Sequence, residues 1–387
     1  MIRTPRSRGH RTLLAAGAVT ALALLVAGCA GDAPAVVGQA PSSDAASAPP
    51  QPPELATVPA PGPPLGDTSS LQGRTVYWIP ITSVAPVFTI EGTAAAEAFE
   101  SVGMDLQVCD GQATPDAVGR CVGQAIAADA AGIIATSIPP EFSRQAFGDA
   151  VEAGIPTLFV NTLDDSTPPE WGELAAALPN NWADQAALNI DLLVEDSGGD
   201  AEVLVVGVTD SSTTVDFFEN GIVGQLEAAC PDCAISTVPT GSTSINQLSS
   251  LVSSALVSQP GTEYVIVQYD SFAAPVVQAL RQQNRQGEVK LLTHLGQLDG
   301  LQRVADGDQW ADTGYSLSVL GWNSADVLLR MMLGQDPLVD AHLTPVKTFT
   351  AANVGEVDLS QEGWQSGQWQ TEEDFRAMYR ELWGVQG

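Results

Sequence analysis

From Arg74 onward the chain alternates short apolar runs with helix-length amphipathic stretches, and this alternation restricts the fold more than any other feature. Thr75-Val76-Tyr77-Trp78-Ile79 reads as a strand, and the segment after it as a helix ending near Gly103. Residues 105–108 read as the next strand. Thr114-Pro115 then opens a helix, with Thr as N-cap and Pro in the first helical position. Gly132-Ile133-Ile134-Ala135-Thr136 is a third, buried strand; 141–152 is a helix closed by Gly154, and 155–160 a fourth strand. A second series follows, with helices at 184–193, 214–229, 244–258, 273–283 and 300–305 between strands at 202–208, 234–238, 263–267 and 290–294. Residues 312–319 read as extended and 322–333 as helical. Strands spaced in this way by helices need right-handed crossovers, so the chain is predicted to be α/β, with two doubly wound parallel-sheet lobes. Near the end, 372–383 reads as an amphipathic helix whose Phe375, Met378, Tyr379, Leu382 and Trp383 share one stripe, a core-packing pattern rather than a site.

Ahead of this body, residues 1–28 read as a secretory signal: a basic stretch through Arg11, an apolar run at 13–27, then small residues before Cys29. The run is short for a membrane-spanning helix, which needs about 20 residues. Val26-Ala27-Gly28-Cys29 resembles the lipobox of bacterial lipoproteins. That resemblance implies cleavage before Cys29 and acylation of its sulfur, and several acyl chains anchor durably where one does not. Residues 29–73 are then a lipidated Cys followed by a tether. Ten prolines fall between Pro34 and Pro64, mixed with Ala, Ser and Gly, and such a segment has too few large apolar groups to offset its ordering entropy.

Charge excludes several functions. The chain carries 46 acidic against 15 basic residues, a net of −31, and four of those cations precede the apolar run. Such a body is repelled by nucleic acid and by an anionic membrane surface. Catalysis finds no support either. The histidines are His10, His294 and His342, and no G-x-S-x-G elbow, P-loop or metal-ligand spacing occurs. Pro80-Ile81-Thr82-Ser83 stands where a phosphate-cradling glycine turn would follow the first strand. We therefore expect no catalytic residue, no metal and no cofactor. Apart from Cys29 there are four cysteines, an even number for an oxidising compartment. Cys109 at a strand end and Cys121 on the returning helix could come alongside each other, if their Cα atoms approach within about 4.4–6.8 Å. Cys230-Pro231-Asp232-Cys233 follows a helix, where no positive dipole end activates a thiol, so a structural bridge is expected there rather than a redox pair.

From about Arg74 to Pro337 the body resembles a type I periplasmic binding protein, the sugar-type solute-binding family related to lactose-repressor effector domains. The resemblance rests on Gly92 with Ala95-Ala96, on Gly132-Ile133-Ile134, and on Ala153-Gly154-Ile155-Pro156 followed by Asn161. It continues through Pro231, then Gly321 with Ala325 and Leu328, and Gly334-Gln335-Asp336-Pro337. It implies three hinge crossings, near 182, 316 and 346. Lobe 1 would then comprise 74–182 and 316–346, and lobe 2 would comprise 183–315 and 347–387. No DNA-reading helix-turn-helix is read before Arg74, which points away from the repressor branch. A lipid-tethered, exported relative most often delivers a solute to an ABC permease from the outer face of the cytoplasmic membrane, and a monomer is expected. The alternative is a sensor that presents its ligand to a membrane kinase.

Parallel sheets bind ligands at the carboxyl ends of their strands. The loops there carry acceptors and aromatics but no Lys or Arg, and Arg144 is the one cation expected to come near them. An anion buried among them would go unpaired. A small neutral polyhydroxylated ligand is expected instead, a sugar first, with a nucleoside or other aromatic-ring solute as the alternative. The candidate contacts are Phe88, Asn161, Asp164, Asp216, Phe217, Tyr269, Asp270 and Tyr315, with Trp182 near the hinge. For each aromatic, hinge or core packing is the competing role. The chain departs from sugar-binding relatives here. Aligned on Gly221, Asp216 replaces a usual Arg; Tyr269-Asp270 replaces an Asn-Asp pair, and Leu295 and Tyr315 stand at two usual polar positions.

Overall fold

In β1 (Thr75–Pro80) successive side chains enter two different cores: Val76 and Trp78 pack on one face of the sheet, Tyr77 and Ile79 on the other. The computed structural model describes residues 58–163, 166–179, 181–241, 244–342, 344–366 and 375–385. The expected signal, Cys29 and Asp164 lie outside them.

Lobe 1 continues through α1 (Pro86–Ser101), β2 (Asp105–Val108), α2 (Pro115–Ala127), β3 (Gly132–Thr136), α3 (Arg144–Glu152), β4 (Thr157–Thr162) and β5 (Ala175–Pro179). Its five strands are all parallel, in the order β2-β1-β3-β4-β5. Thr114 caps α2 by accepting from the Ala117 N–H at 3.3 Å, with Pro115 in the first turn. The chain then enters lobe 2 through α4 (Trp182–Ser197) and β6 (Glu202–Val208). α5 (Ser212–Asp216) runs through a wider, π-type stretch at Phe217–Gly224 into α6 (Gln225–Ala229). Next come β7 (Ala234–Thr240), α7 (Ile245–Ser258), β8 (Tyr264–Val267), α8 (Ala273–Gln282), β9 (Lys290–Leu295), α9 (Leu298–Asp306) and β10 (Ala311–Tyr315). The chain returns to lobe 1 as α10 (Leu317–Met332) and crosses again into β11 (Val346–Thr350). α11 (Gln361–Gln365) and α12 (Phe375–Leu382) follow. The second sheet has the order β11-β10-β9-β8-β6-β7, parallel except for β11, which runs against β10. Each lobe is thus a doubly wound α/β unit.

The return helix packs tightly on the first. A Cβ at Gly321 would lie 2.6 Å from the carbonyl oxygen of Glu91 and 2.7 Å from the Ala94 Cβ, so only glycine lets α10 approach α1 this closely. Both cysteine pairs are bonded, Cys109–Cys121 with Cα atoms 5.7 Å apart and Cys230–Cys233 at 5.3 Å.

Three expectations are corrected. The stretch 312–319 is not extended throughout: a helix starts at Leu317, because the Ser316 hydroxyl accepts from the Val319 N–H at 3.2 Å and caps it. The tether does not reach 73. Val58, Leu65 and Leu71 are buried in the lobe 1 core, the Pro63 carbonyl accepts from Arg330, and the Leu65 N–H donates to Leu382 O at 3.1 Å. Nor does all of 347–387 join lobe 2. α12 lies on lobe 1, with Trp383 stacked on Trp322 at 5.3 Å and Arg376 donating to Glu97 of α1 at 2.9 Å.

Candidate ligand cleft

Beneath the cleft sits a buried acid that the sequence reading overlooked. Glu91 lies on the inward face of α1 with Val87, Ile90, Ala94 and Ala98, and it is fully buried. Thr136 at the end of β3 donates to its Oε2 at 3.1 Å. Asn161 of β4 donates to Oε1 at 3.2 Å, and the Tyr315 hydroxyl of β10 donates to the same oxygen at 3.3 Å. Burial raises the Glu91 carboxyl to about 7, because these three neutral donors offset only part of the desolvation. The signal for it was a lone acid inside an apolar helical stripe. Asn161 holds a left-handed backbone (φ 57°), a conformation Asn tolerates better than most residues. It is 3% exposed, and its Oδ1 has no partner among the described residues.

The opposite wall is aromatic. The π-type stretch turns Phe217 inward, and Gly221 makes room for it, since a Cβ there would lie 2.7 Å from the Phe217 ring. Trp182, where α4 begins at the hinge, stacks on Phe217 at 5.1 Å. Tyr269 approaches Phe217 at 5.8 Å, and His294 meets it edge-on at 5.3 Å. Burial lowers the His294 imidazole to about 4, so it is a neutral packing group. Gln268 steers Tyr269: its amide donates to the Tyr269 oxygen at 3.2 Å and to Thr214 O at 2.9 Å. Asp216 is half-buried and accepts from Asn220 Nδ2 at 2.7 Å.

Two cavities of about 250 Å³ each flank the hinge segment. The first lies between the lobes, lined by Thr162, Leu163 and Pro179 on one side, Asp216, Phe217 and Asn220 on the other, and Trp182 between them. The second holds Asn161, Tyr315, Asp184, Asp340, His342 and Thr344. Neither is lined by Lys or Arg. At the mouth, the Ser212 hydroxyl of lobe 2 donates to Glu141 of lobe 1 at 2.9 Å, joining the lobes.

Trp182, Asp216 and Phe217 thus line the first cavity and Asn161 and Tyr315 the second, whereas Tyr269 packs on Phe217 and lines neither. Phe88 instead packs, half-buried, against the lobe 1 core. Asp270 is turned into lobe 2. It is fully buried, accepts from the Thr293 hydroxyl and from the Gln297 N–H at 2.8 Å, and lies 3.7 Å from Arg303. Burial first, then the neighbouring Asp312, pushes its carboxyl well above the usual range. Arg303, on α9, was missed because its helix was read only as a short connector. Arg144, the cation expected nearest the cleft, is paired with Glu170 at 2.5 Å and lies over Trp171.

A family model for the periplasmic binding protein domain matches residues 76–336. The chain belongs to that family. The solved structures that resemble this binding protein share its fold at low identity. A sugar ABC transporter subunit from Rhodobacter sphaeroides is 20% identical, with a TM-score of 0.62 over 73% of this chain and 100% of that one. A 5-methylthioribose transporter solute-binding protein from Thermotoga lettingae is 12% identical, with a TM-score of 0.65 over 81% and 99%. A solute-binding protein from Agrobacterium vitis, bound with α-D-tagatopyranose, is 15% identical, with a TM-score of 0.62 over 73% and 96%. No curated protein matches the chain. Among the described residues, no helix of this binding protein is long and apolar enough to cross a membrane.

Proposed function

We propose that this protein captures a small polyhydroxylated solute, a sugar first, between its lobes and delivers it to an ABC permease from the outer face of the cytoplasmic membrane. The observation that carries this reading is the interlobe cleft, where acceptors and aromatic rings converge from the carboxyl ends of both sheets with no Lys or Arg beside them. Carboxylates and amides accept from ligand hydroxyls, and rings cover the apolar faces of a sugar. Anionic solutes would leave a charge unpaired. Closure of the lobes over the ligand would supply the form a permease reads. The clustered rings favour a second ligand class, nucleosides and other aromatic-ring solutes.

A thermal-shift screen of sugars, polyols, nucleosides and amino acids tests the reading. A ligand at 100 times its Kd should stabilise the protein by about 2.7 kcal/mol. Asp216→Ala and Tyr269→Ala should each weaken a sugar that binds, whereas full affinity in both would remove these residues from the site. A response confined to anionic compounds would overturn the charge argument.

Anchoring is proposed through Cys29. Cys29→Ala should move the protein from the membrane fraction to the soluble one. Persistence on membranes after a salt wash would rule the lipid anchor out.

A further inference from the structure

We propose that the cavity between Asp216 and Trp182 is an ammonium subsite, so that the solute is a polyhydroxylated amine such as an amino sugar. The inference rests on the cleft reading above and narrows its ligand class. The space of about 250 Å³ is lined by the ring of Trp182, backed by the buried Phe217, by the carboxylate of Asp216, by the neutral polar side chains of Thr162, Asn220 and Gln225, and by the apolar Leu163, Pro179 and Ala183. A ring and a carboxylate around one small volume favour a cation, because the ring quadrupole and the charge act in the same direction. Stacking on Phe217 at 5.1 Å fixes the Trp182 plane, so the aromatic part is held before the ligand arrives.

Asp216 is positioned rather than neutralised. Its partner among the described residues is the uncharged amide of Asn220, at 2.7 Å, and no Lys or Arg lines the cavity. The second cavity across the hinge segment adds Asp184 and Asp340, again without Lys or Arg. A neutral hydroxyl uses the acceptor alone, whereas an ammonium also uses the charge and the ring quadrupole. A protonated amine donates to Asp216 and lies against Trp182, which Phe217 backs from the core. The net charge of −31 draws such a solute toward the protein.

The test is direct binding of the full chain to D-glucosamine, D-galactosamine and D-mannosamine. Each is compared with its parent hexose and with its N-acetyl derivative, which keeps the ring but removes the charge. At least one free amine should bind roughly tenfold or more tighter than both neutral counterparts, and added salt should reduce that advantage. Asp216→Asn preserves the acceptor for Asn220 and should bring the amine-to-hexose affinity ratio to about one. Trp182→Leu should lower the same ratio. Parent hexoses binding as well as their amines would overturn the ammonium subsite and leave sugar capture standing. An amine preference that survives Asp216→Asn would also overturn it. Binding of neither series would overturn the subsite together with the sugar reading.

Discussion

Replacing Asp326 with alanine should destabilise the protein by about 3–5 kcal/mol, a larger loss than any substitution in the cleft should cause. Asp326 is fully buried on α10 and serves three donors. Arg330 Nε lies at 2.7 Å, His342 Nε2 at 2.8 Å and Trp383 Nε1 at 2.6 Å. Burial alone would raise its carboxyl. The hydrogen bond and charge of His342, then the bonds from Arg330 and Trp383, outweigh burial and hold it below the usual range. Without this carboxylate, Arg330, which is 1% exposed, keeps its charge but has no counter-ion. The indole of Trp383 loses its acceptor, so the contact between α10 and α12 weakens as well. A carboxyl held below its unfolded value stabilises the fold above that value, and the contribution disappears as pH falls through the lower, folded one. Urea unfolding of the variant at neutral pH is the check; a loss under about 1 kcal/mol would mean that the buried cluster contributes no more than an exposed ion pair.

Glu91→Gln should act in the opposite direction, and only at higher pH. The folded protein holds this carboxyl near 7 against 4.5 when unfolded, so folding takes up a proton between those values. Stability from this group is complete below about pH 4.5 and is lost as pH rises through about 7. A shift of this size corresponds to at most about 3 kcal/mol above neutrality. Glutamine cannot ionise, and the Thr136 hydroxyl can turn to accept from its amide. The variant should therefore gain stability over the wild type at pH 8 and show little difference at pH 4.5. Equal midpoints for the two proteins at pH 8 would show that Glu91 is not desolvated in solution. Because Asn161 and Tyr315 both donate to this acid, ligand affinity in the variant reports whether it also sets their positions.

The parallel strands with continuous apolar runs were legible because both faces of each sheet are covered, so burial shows in every residue. β5 was not: Ala175-Ala176-Ala177-Leu178-Pro179 lacks the branched and aromatic side chains that mark strands, and its pairing with β4 comes from tertiary contact. The helix at 317 was missed although Ser316 is a good cap, because Tyr315, Leu317 and Val319 alternate with Gly314, Ser316 and Ser318 in the period of a strand. The stripe of α12 was readable, whereas its partner on lobe 1 was not, since one apolar face does not name the surface it will cover. Position at strand ends drew attention to Asn161, Tyr269 and Tyr315, and Phe217 was read from the loop after β6 although it lies in the helical stretch beyond it. What a side chain does there depends on its neighbours. Asp270 turns inward because Thr293 and the Gln297 N–H satisfy it within lobe 2, and its residue type looks the same in either role. Glu91 was hidden in the same way, as a helix residue whose partners arrive from β3, β4 and β10.

Both ends of the described chain rest on lobe 1: residues 58–73 lie along α10 and α12, and α12 lies against α1 and α10. Neither of these two segments rests on lobe 2. A label on either segment therefore reports the position of lobe 1. Dyes placed on both segments would stay at a fixed separation whether or not the lobes close. An optical ruler for closure needs one label on the far lobe, for example on exposed Val257 of α7.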